Sequence, residues 1–239
     1  MIFAEKKMRS EFNYTPDTKM FRLVSDDYRL LHVLSRFGIR MGFGDDTVRQ
    51  VCERSHVDTF TFLSVVNYIA NGYVEHEELE RLHLPTLLGY LHHSHRYFLG
   101  FLLPAIRRKL LEGIRLRTSD ISYLIIKFFD EYFAEVKAHM DSEEATVFRY
   151  VGDLIGGGRI RNREVSTYSR HHKEVSSRLG ELKKLILKYT PEDADANLLN
   201  SALYDIYRCE QELNSHCLVE DKLFVPAVKI LEEKLREGR

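Results

Sequence analysis

The chain has few cysteines, little net charge and no long apolar run, and each scarcity excludes a class of protein. Its three cysteines, Cys52, Cys209 and Cys217, form no CxxC pair, so neither a disulfide framework nor a zinc-thiolate knuckle is indicated. The formal net charge is −1, and the scattered basic residues form no footprint for nucleic acid. No run approaches the roughly 18 apolar residues of a membrane span. The N-terminus lacks the apolar core of a signal peptide, so we expect a cytoplasmic location.

The first third of the chain predicts a small helical domain. Three short helices are indicated, with Ser25 or Asp26 as the N-cap of the first: Ser25 to Phe37, Thr47 to Arg54 and Thr59 to Asn71. The stretch from Gly72 to about His83 is charged and poor in large apolar residues, which is typical of a connector. We therefore predict an N-terminal domain over residues 1–75.

From Pro85 onwards the hydrophobic pattern changes to four long periodic segments. They run from Pro85 to about Gly113 with a kink at Pro104, from an N-cap near Ser119 to about Ile155, from about Glu164 to Tyr189, and from about Asn197 to Arg236. Long helices joined by short loops favour an up-down-up-down bundle. The fold class predicted for the chain is therefore all-α, with a four-helix bundle over residues 76–239 that follows the small helical domain.

Two of these segments carry a histidine followed four residues later by a glutamate at the apolar seam. The pairs are His139 with Glu143 and His216 with Glu220. Residues four apart lie on one face of a helix, so the imidazole and the carboxylate of each pair can converge on one ion. A buried ionised carboxylate is costly unless a cation or a metal compensates it. The seams therefore predict a metal site inside the bundle.

The other two long segments have histidines on their inner faces at matching depth. The third segment presents His172, and the first presents both His92 and His95, which the periodicity alone does not separate. Four imidazoles and two carboxylates are too many ligands for one tetrahedral zinc ion, but they suit two six-coordinate ions bridged by the carboxylates. A non-haem di-iron centre with an oxo or hydroxo bridge is the natural occupant. Open positions would remain for dioxygen, nitric oxide or peroxide.

Several segments carry a family resemblance. They are His92-His93-Ser94-His95-Arg96, then His139 to Glu144, then His172, then His216 to Pro226 with its ending Leu223-Phe224-Val225-Pro226. The bundle resembles a hemerythrin-type (HHE cation-binding) domain, and most of the chain resembles the repair-of-iron-centres, or ScdA-like, di-iron proteins. The resemblance implies that the metal ligands are His92, His139, Glu143, His172, His216 and Glu220, with the two glutamates bridging the irons. It implies that His92 is the ligand and that His95 lies behind it or in the core.

The N-terminal segment departs from the same family at one turn. Leu30 to Ile39 and Thr47 to Cys52 resemble the family's small leading domain, whose members usually carry an adjacent Cys-Cys pair. Here that stretch is Met41-Gly42-Phe43-Gly44. The thiols that would pass iron, sulfur or nitric oxide to a client are therefore missing from this turn.

Three functions from different classes follow as expectations, and the third of them is a scaffold whose site holds zinc or stays empty. The resemblance implies a protein of nitrosative or oxidative stress that repairs iron-sulfur clusters or reduces nitric oxide, with damaged iron-sulfur proteins as its clients. The alternative is a non-enzymatic sensor or iron-binding module that binds dioxygen or nitric oxide. The pattern does not decide whether the chain is an enzyme, and it leaves the oligomeric state open.

A third His-x-x-x-Glu pair provides a control for the proposed ligands. His76 and Glu80 have this spacing in a polar run, where it is expected by chance. The variants His139→Ala and Glu220→Ala are expected to lose about one iron or more per chain, because each removes a ligand, whereas His76→Ala should change nothing. Metal analysis of the purified variants checks this, and unchanged iron in both site variants would contradict the assignment.

Overall fold

The computed structural model describes residues 13–73, 76–114, 120–158 and 172–237, and the side chains of residues 76 and 172–177 are outside this description. Across these ranges every regular element is a helix, and Lys19 and Thr47 form an isolated antiparallel bridge. The predicted all-α fold class is confirmed. None of the helices in these ranges is long and apolar enough to cross a bilayer.

Two compact units divide the chain. Leu91–Asp221 forms one unit, and the described residues up to Tyr90 form the other together with those from Lys222 onwards. This division follows the packing of the backbone. The domain boundary predicted between residues 75 and 76 stays a prediction.

Short helices build the first part of the chain. They are α1 (Met20–Asp26), α2 (Leu30–Arg36), α3 (Val48–Arg54), α4 (Thr59–Asn71) and α5 (His76–Leu79). Thr47 caps α3 through a reciprocal pair of hydrogen bonds with Gln50, and the Asp58 carboxylate accepts the Thr61 N–H at the start of α4. Caps of this kind satisfy N–H groups that have no partner inside the helix. The second and third helices predicted in this segment are therefore confirmed.

The helix predicted from Ser25 to Phe37 is wrong, because the structure has two helices there. Ser25 and Asp26 end α1, which begins upstream at the buried Met20, and neither residue is an N-cap. The interruption is at Asp27, whose carboxylate accepts the Arg29 backbone N–H at 3.0 Å and also pairs with the Arg29 guanidinium. A side chain that closes a turn on the neighbouring backbone competes with helical hydrogen bonding.

The long segments follow as composite helices. They comprise α6 (Leu84–Tyr97) and α7 (Leu103–Ile114), α8 (Asp120–Glu143) and α9 (Arg149–Ile155), α10 (His172–Tyr189), and α11 (Ala196–Val219) and α12 (Val225–Glu237). Three π-helical turns, Phe98–Leu102, Glu144–Phe148 and Glu220–Phe224, join the successive parts. The N-cap predicted at Ser119 and the start predicted at Glu164 lie outside the described residues.

Helices of the second unit pack as a closed ring of neighbours. Helix α7 packs against α8 and α11, and α10 packs against the same two helices. Each helix therefore contacts the helices before and after it in the chain, as in an up-down-up-down bundle. The apolar seam of the fourth long segment, at which the sequence places His216 and Glu220, is buried along its length: Ile206, Cys209, Leu213, His216, Glu220, Leu223 and Ala227.

Proline accounts for two of the π-helical turns. The sequence predicts a kink at Pro104, and the structure has the π-helical turn Phe98–Leu102 just before this residue. In this turn the Leu103 N–H donates to the Phe98 carbonyl. A proline ring crowds the carbonyl four residues earlier, and for Pro104 that carbonyl lies inside the wider turn. Pro226 follows the turn Glu220–Phe224 at the same distance along the chain. The third turn, Glu144–Phe148, is followed at that distance by Tyr150 rather than by proline, and it lies next to the polar core of the bundle.

The Tyr132 hydroxyl tests the packing of the bundle core. Its side chain is fully buried, and the hydroxyl has no hydrogen-bond partner among the described residues. Because an unsatisfied buried hydroxyl is destabilising, we expect Tyr132→Phe to raise the free energy of unfolding by about 1 kcal/mol, measured by urea denaturation. Tyr123→Phe on the same helix is the control, since Tyr123 is exposed and its loss should change little. A clear destabilisation by Tyr132→Phe would contradict this account.

Candidate metal centre

Both predicted His-x-x-x-Glu pairs lie at the inner face of the second unit. On α8, His139 Nε2 is 3.0 Å from Glu143 Oε1. At the end of α11, His216 Nε2 is 3.8 Å from Glu220 Oε2. Glu143, His216 and Glu220 are each buried, whereas the His139 side chain is 18% exposed. The helical spacing therefore aims each imidazole and its carboxylate at a common region, as the sequence predicts.

A third helix joins these pairs through His95 of α6. His95 Nε2 lies 3.2 Å from His216 Nε2 and 3.4 Å from Glu143 Oε2. The facing ligand atoms of His95, Glu143 and His216 all lie within 4.8 Å of one another, and all three residues are buried. These three residues are called the buried cluster below. It brings together the first, second and fourth long helices at one depth.

The spacing of the buried cluster fits a shared cation. Nitrogen and oxygen ligands lie about 2.0–2.2 Å from a bound zinc ion, so two neighbouring ligands of a first-row metal ion lie about 3 Å apart. The separations of 3.2 and 3.4 Å around His95 Nε2 match that value. A cation also compensates the charge of a buried carboxylate, which is otherwise costly to remove from water. The described residues of the site therefore fit a divalent metal ion.

The structure places the two histidines of α6 differently from the resemblance. His92, which the resemblance selects as a ligand, has a side chain that is 42% exposed and is not part of the buried cluster. His95, which the resemblance places behind the ligand, is buried inside the cluster. His93 between them is exposed. The assignment of His92 as a metal ligand stays a prediction.

His172 is the remaining predicted ligand. It begins α10, a helix that packs against α8 and α11. Its side chain lies outside the described residues, so its role as a ligand also stays a prediction. The structure thus brings two of the six predicted ligands, Glu143 and His216, into the buried cluster, with His139 and Glu220 adjacent to them.

Glu144 is a functional candidate that the sequence patterns did not single out. Its Oε2 is 2.6 Å from His92 Nδ1, and its Oε1 is 2.9 Å from His95 Nδ1. Partial burial acts to raise the pKa of this carboxyl, but the hydrogen bond from His95 and the charges of His92 and His95 outweigh it. The pKa of Glu144 therefore lies below its ordinary value of 4.5. Its one signal in the sequence is its position directly after Glu143.

The π-helical turns supply the aromatic walls of the site. Phe148, the last residue of the turn Glu144–Phe148, stacks on the His95 ring at 5.0 Å with an angle of 16° between the planes. The same side chain meets the His92 ring edge to face, also at 5.0 Å. Phe98, which opens the first π-helical turn, lies edge to face with His216 at 5.9 Å. π-Helical turns often mark functional sites, and here an aromatic residue from each of two such turns packs against the imidazoles.

Comparison with known proteins agrees with this geometry. A family model described as the hemerythrin HHE cation binding domain matches residues 86–228, which is more than half of the chain. The match spans the buried cluster and all six predicted ligands. A search of curated proteins found no match to this chain.

Alanine variants of α6 separate its three histidines. We expect His95→Ala to weaken metal binding at least about tenfold, because it removes a ligand atom from the buried cluster. His93→Ala is the matched control, since this neighbouring imidazole is exposed and should leave binding unchanged. Competition with a chelator for added Fe²⁺ measures the metal affinity of both variants. The variant His92→Ala is measured in the same series. Full binding in His95→Ala would show that the cluster geometry is not that of the loaded site.

Proposed function

The chain belongs to the hemerythrin HHE cation-binding domain family, and from that premise we propose that it is a non-haem di-iron protein. One observation carries the proposal, namely that His95, Glu143 and His216 converge in the interior of the bundle at metal-ligand spacing. The proposed ligand set adds His139 and Glu220, which adjoin the cluster, and the predicted ligands His92 and His172.

The Glu143 carboxylate supports two ions rather than one. Its Oε1 faces His139 Nε2 at 3.0 Å, whereas its Oε2 faces His95 Nε2 at 3.4 Å. The two oxygens of one carboxylate thus face imidazoles from different helices, which is the arrangement that a bridging ligand requires. Glu220, at the corresponding place on the fourth long helix, is proposed as the second bridge.

The donor set favours iron over metals that prefer thiolate. Imidazole and carboxylate ligands suit iron, manganese and zinc, while copper(I) and iron-sulfur clusters select sulfur ligands. A bound di-iron pair would supply reversible ferrous-ferric chemistry and open positions for a small molecule. The protein's own part is to hold neutral imidazoles on the ions and to exclude bulk water by means of Phe98 and Phe148.

Small oxidants and radicals are the proposed ligands of such a centre. Dioxygen, nitric oxide and peroxide are small enough to reach a buried site and can bind to iron at open positions. On this proposal the protein acts in nitrosative or oxidative stress, through nitric oxide or dioxygen chemistry or through repair of damaged iron-sulfur proteins. These roles come from the family resemblance of the sequence.

One observation favours the alternative of a binding module or sensor. The turn where related proteins usually carry a cysteine pair has Gly42 and Gly44 in left-handed conformations and no thiol. The nearest cysteine, Cys52, is fully buried, and burial raises the pKa of its thiol to about 12. A thiol with so high a pKa carries almost no thiolate at neutral pH and is a poor nucleophile. Thiol-based transfer to a client therefore has no support in this part of the chain.

Metal content of anaerobically purified protein tests the proposal. We expect about two iron atoms per chain and charge-transfer absorption that grows on exposure to air, since imidazole and carboxylate ligands suit redox-active iron. Glu143→Gln should lose most of the iron, because it removes a charged ligand. Asp141→Asn is the matched control, since it makes the same change two residues earlier at an exposed carboxylate that pairs with Lys137. Stoichiometric zinc, or no metal, would move the assignment to a structural scaffold.

Consumption of reductant then separates the two roles. The iron-loaded protein is mixed with nitric oxide or peroxide in the presence of an electron donor. A non-enzymatic binder saturates stoichiometrically and leaves the donor unused, whereas a catalyst consumes donor over many turnovers. The Glu143→Gln protein, measured in parallel, reports any reaction that does not depend on the site.

A further inference from the structure

A single carboxylate, that of Glu144, contacts two histidines of the neighbouring long helix at once. Each of its oxygens meets a different ring: Oε2 is 2.6 Å from His92 Nδ1, and Oε1 is 2.9 Å from His95 Nδ1. Both contacts are made by Nδ1, so both rings present Nε2 on the side away from Glu144. For His95, that Nε2 is the atom that faces His216 and Glu143.

We propose that Glu144 is a positioning residue that holds His92 and His95 in the tautomer with the proton on Nδ1 and the lone pair on Nε2. An ionised carboxylate only accepts hydrogen bonds, so each Nδ1 in contact with it must carry a proton. In a neutral imidazole the other nitrogen is then an acceptor. Glu144 thereby prepares Nε2 of His95 to bind a cation before any cation arrives.

Phe148, which lies in the same turn as Glu144, also restricts the orientation of the His92 and His95 rings. Phe148 stacks on the His95 ring at 5.0 Å and meets the His92 ring at the same distance. Glu144 and Phe148 begin and end the same π-helical turn, so one short segment fixes both the rotation and the tilt of the two rings. A carboxylate behind a metal-bound imidazole also makes that imidazole a stronger base.

The charge of Glu144 is essential to this role. Its isostere glutamine has one amide oxygen and one amide nitrogen, so it can accept from one Nδ1 but must donate to the other. In Glu144→Gln one of the two imidazoles therefore loses its Nδ1 proton and changes tautomer. A side chain that only filled space or linked two helices would tolerate this replacement without such a change.

Nitrogen NMR of the metal-free protein tests the inference directly. At about pH 8, where imidazoles are mostly neutral, His92 and His95 of the wild-type protein should both show the tautomer protonated at Nδ1. Glu144→Gln should switch one of the two, and Asp141→Asn should switch neither. An Nε2-protonated ring at either position of the wild-type protein would overturn the proposal, and this measurement does not depend on the folding of any variant. Two unchanged tautomers in a folded Glu144→Gln protein would overturn it as well.

Metal affinity gives the second readout, and this arm rests on the proposed function. Competition with a chelator for Fe²⁺ under anaerobic conditions should show binding about 10- to 100-fold weaker in Glu144→Gln, with Asp141→Asn unchanged. Equal affinity in all three proteins would overturn the role of Glu144 while leaving iron binding intact. If the wild-type protein binds no iron, the proposed function fails, and the tautomers of the metal-free protein still decide the role of Glu144.

Discussion

The burial of the Glu143 carboxylate among apolar helices is the constraint on which the rest of the site depends. Removing a carboxylate from water costs several kcal/mol even in a relaxed protein interior, and Glu143 is only 1% exposed. Imidazoles from two other helices face the same carboxylate. A metal ion among these groups would compensate the charge and tie the helices together, and its binding would then be coupled to the folding of the bundle.

The local irregularities of the long helices serve this arrangement. An uninterrupted α-helix repeats every 3.6 residues, and a π-helical turn shifts the phase of all residues after it. The turn Glu144–Phe148 begins directly after Glu143, and the turn Glu220–Phe224 begins at Glu220 itself. Each proposed bridging carboxylate therefore lies at a change of helical phase. At Glu144 and Phe148 this change places a carboxylate and an aromatic ring against the histidines of α6.

Chemistry in this chain is concentrated in the second unit. The buried cluster, the adjoining His139 and Glu220, and the carboxylate of Glu144 all lie between Leu91 and Asp221. The small helices before them carry one thiol, that of Cys52, and burial raises its pKa to about 12. This distribution is the reason that small-molecule binding at the metal centre is a stronger proposal than transfer of atoms between thiols.

The sequence by itself determined the helical fold, the inner faces of the long helices and the pairs His139 with Glu143 and His216 with Glu220. These features depend on spacing along one helix, and helical geometry is the same wherever the helix lies. The break between α1 and α2 escaped the pattern, because a side-chain turn at Asp27 outweighed the apolar periodicity. Tertiary structure alone decided that His95 rather than His92 lies in the buried cluster. Two residues three apart share nearly one face of a helix, so only their depth in the bundle distinguishes them: His95 is buried, whereas the His92 side chain is 42% exposed.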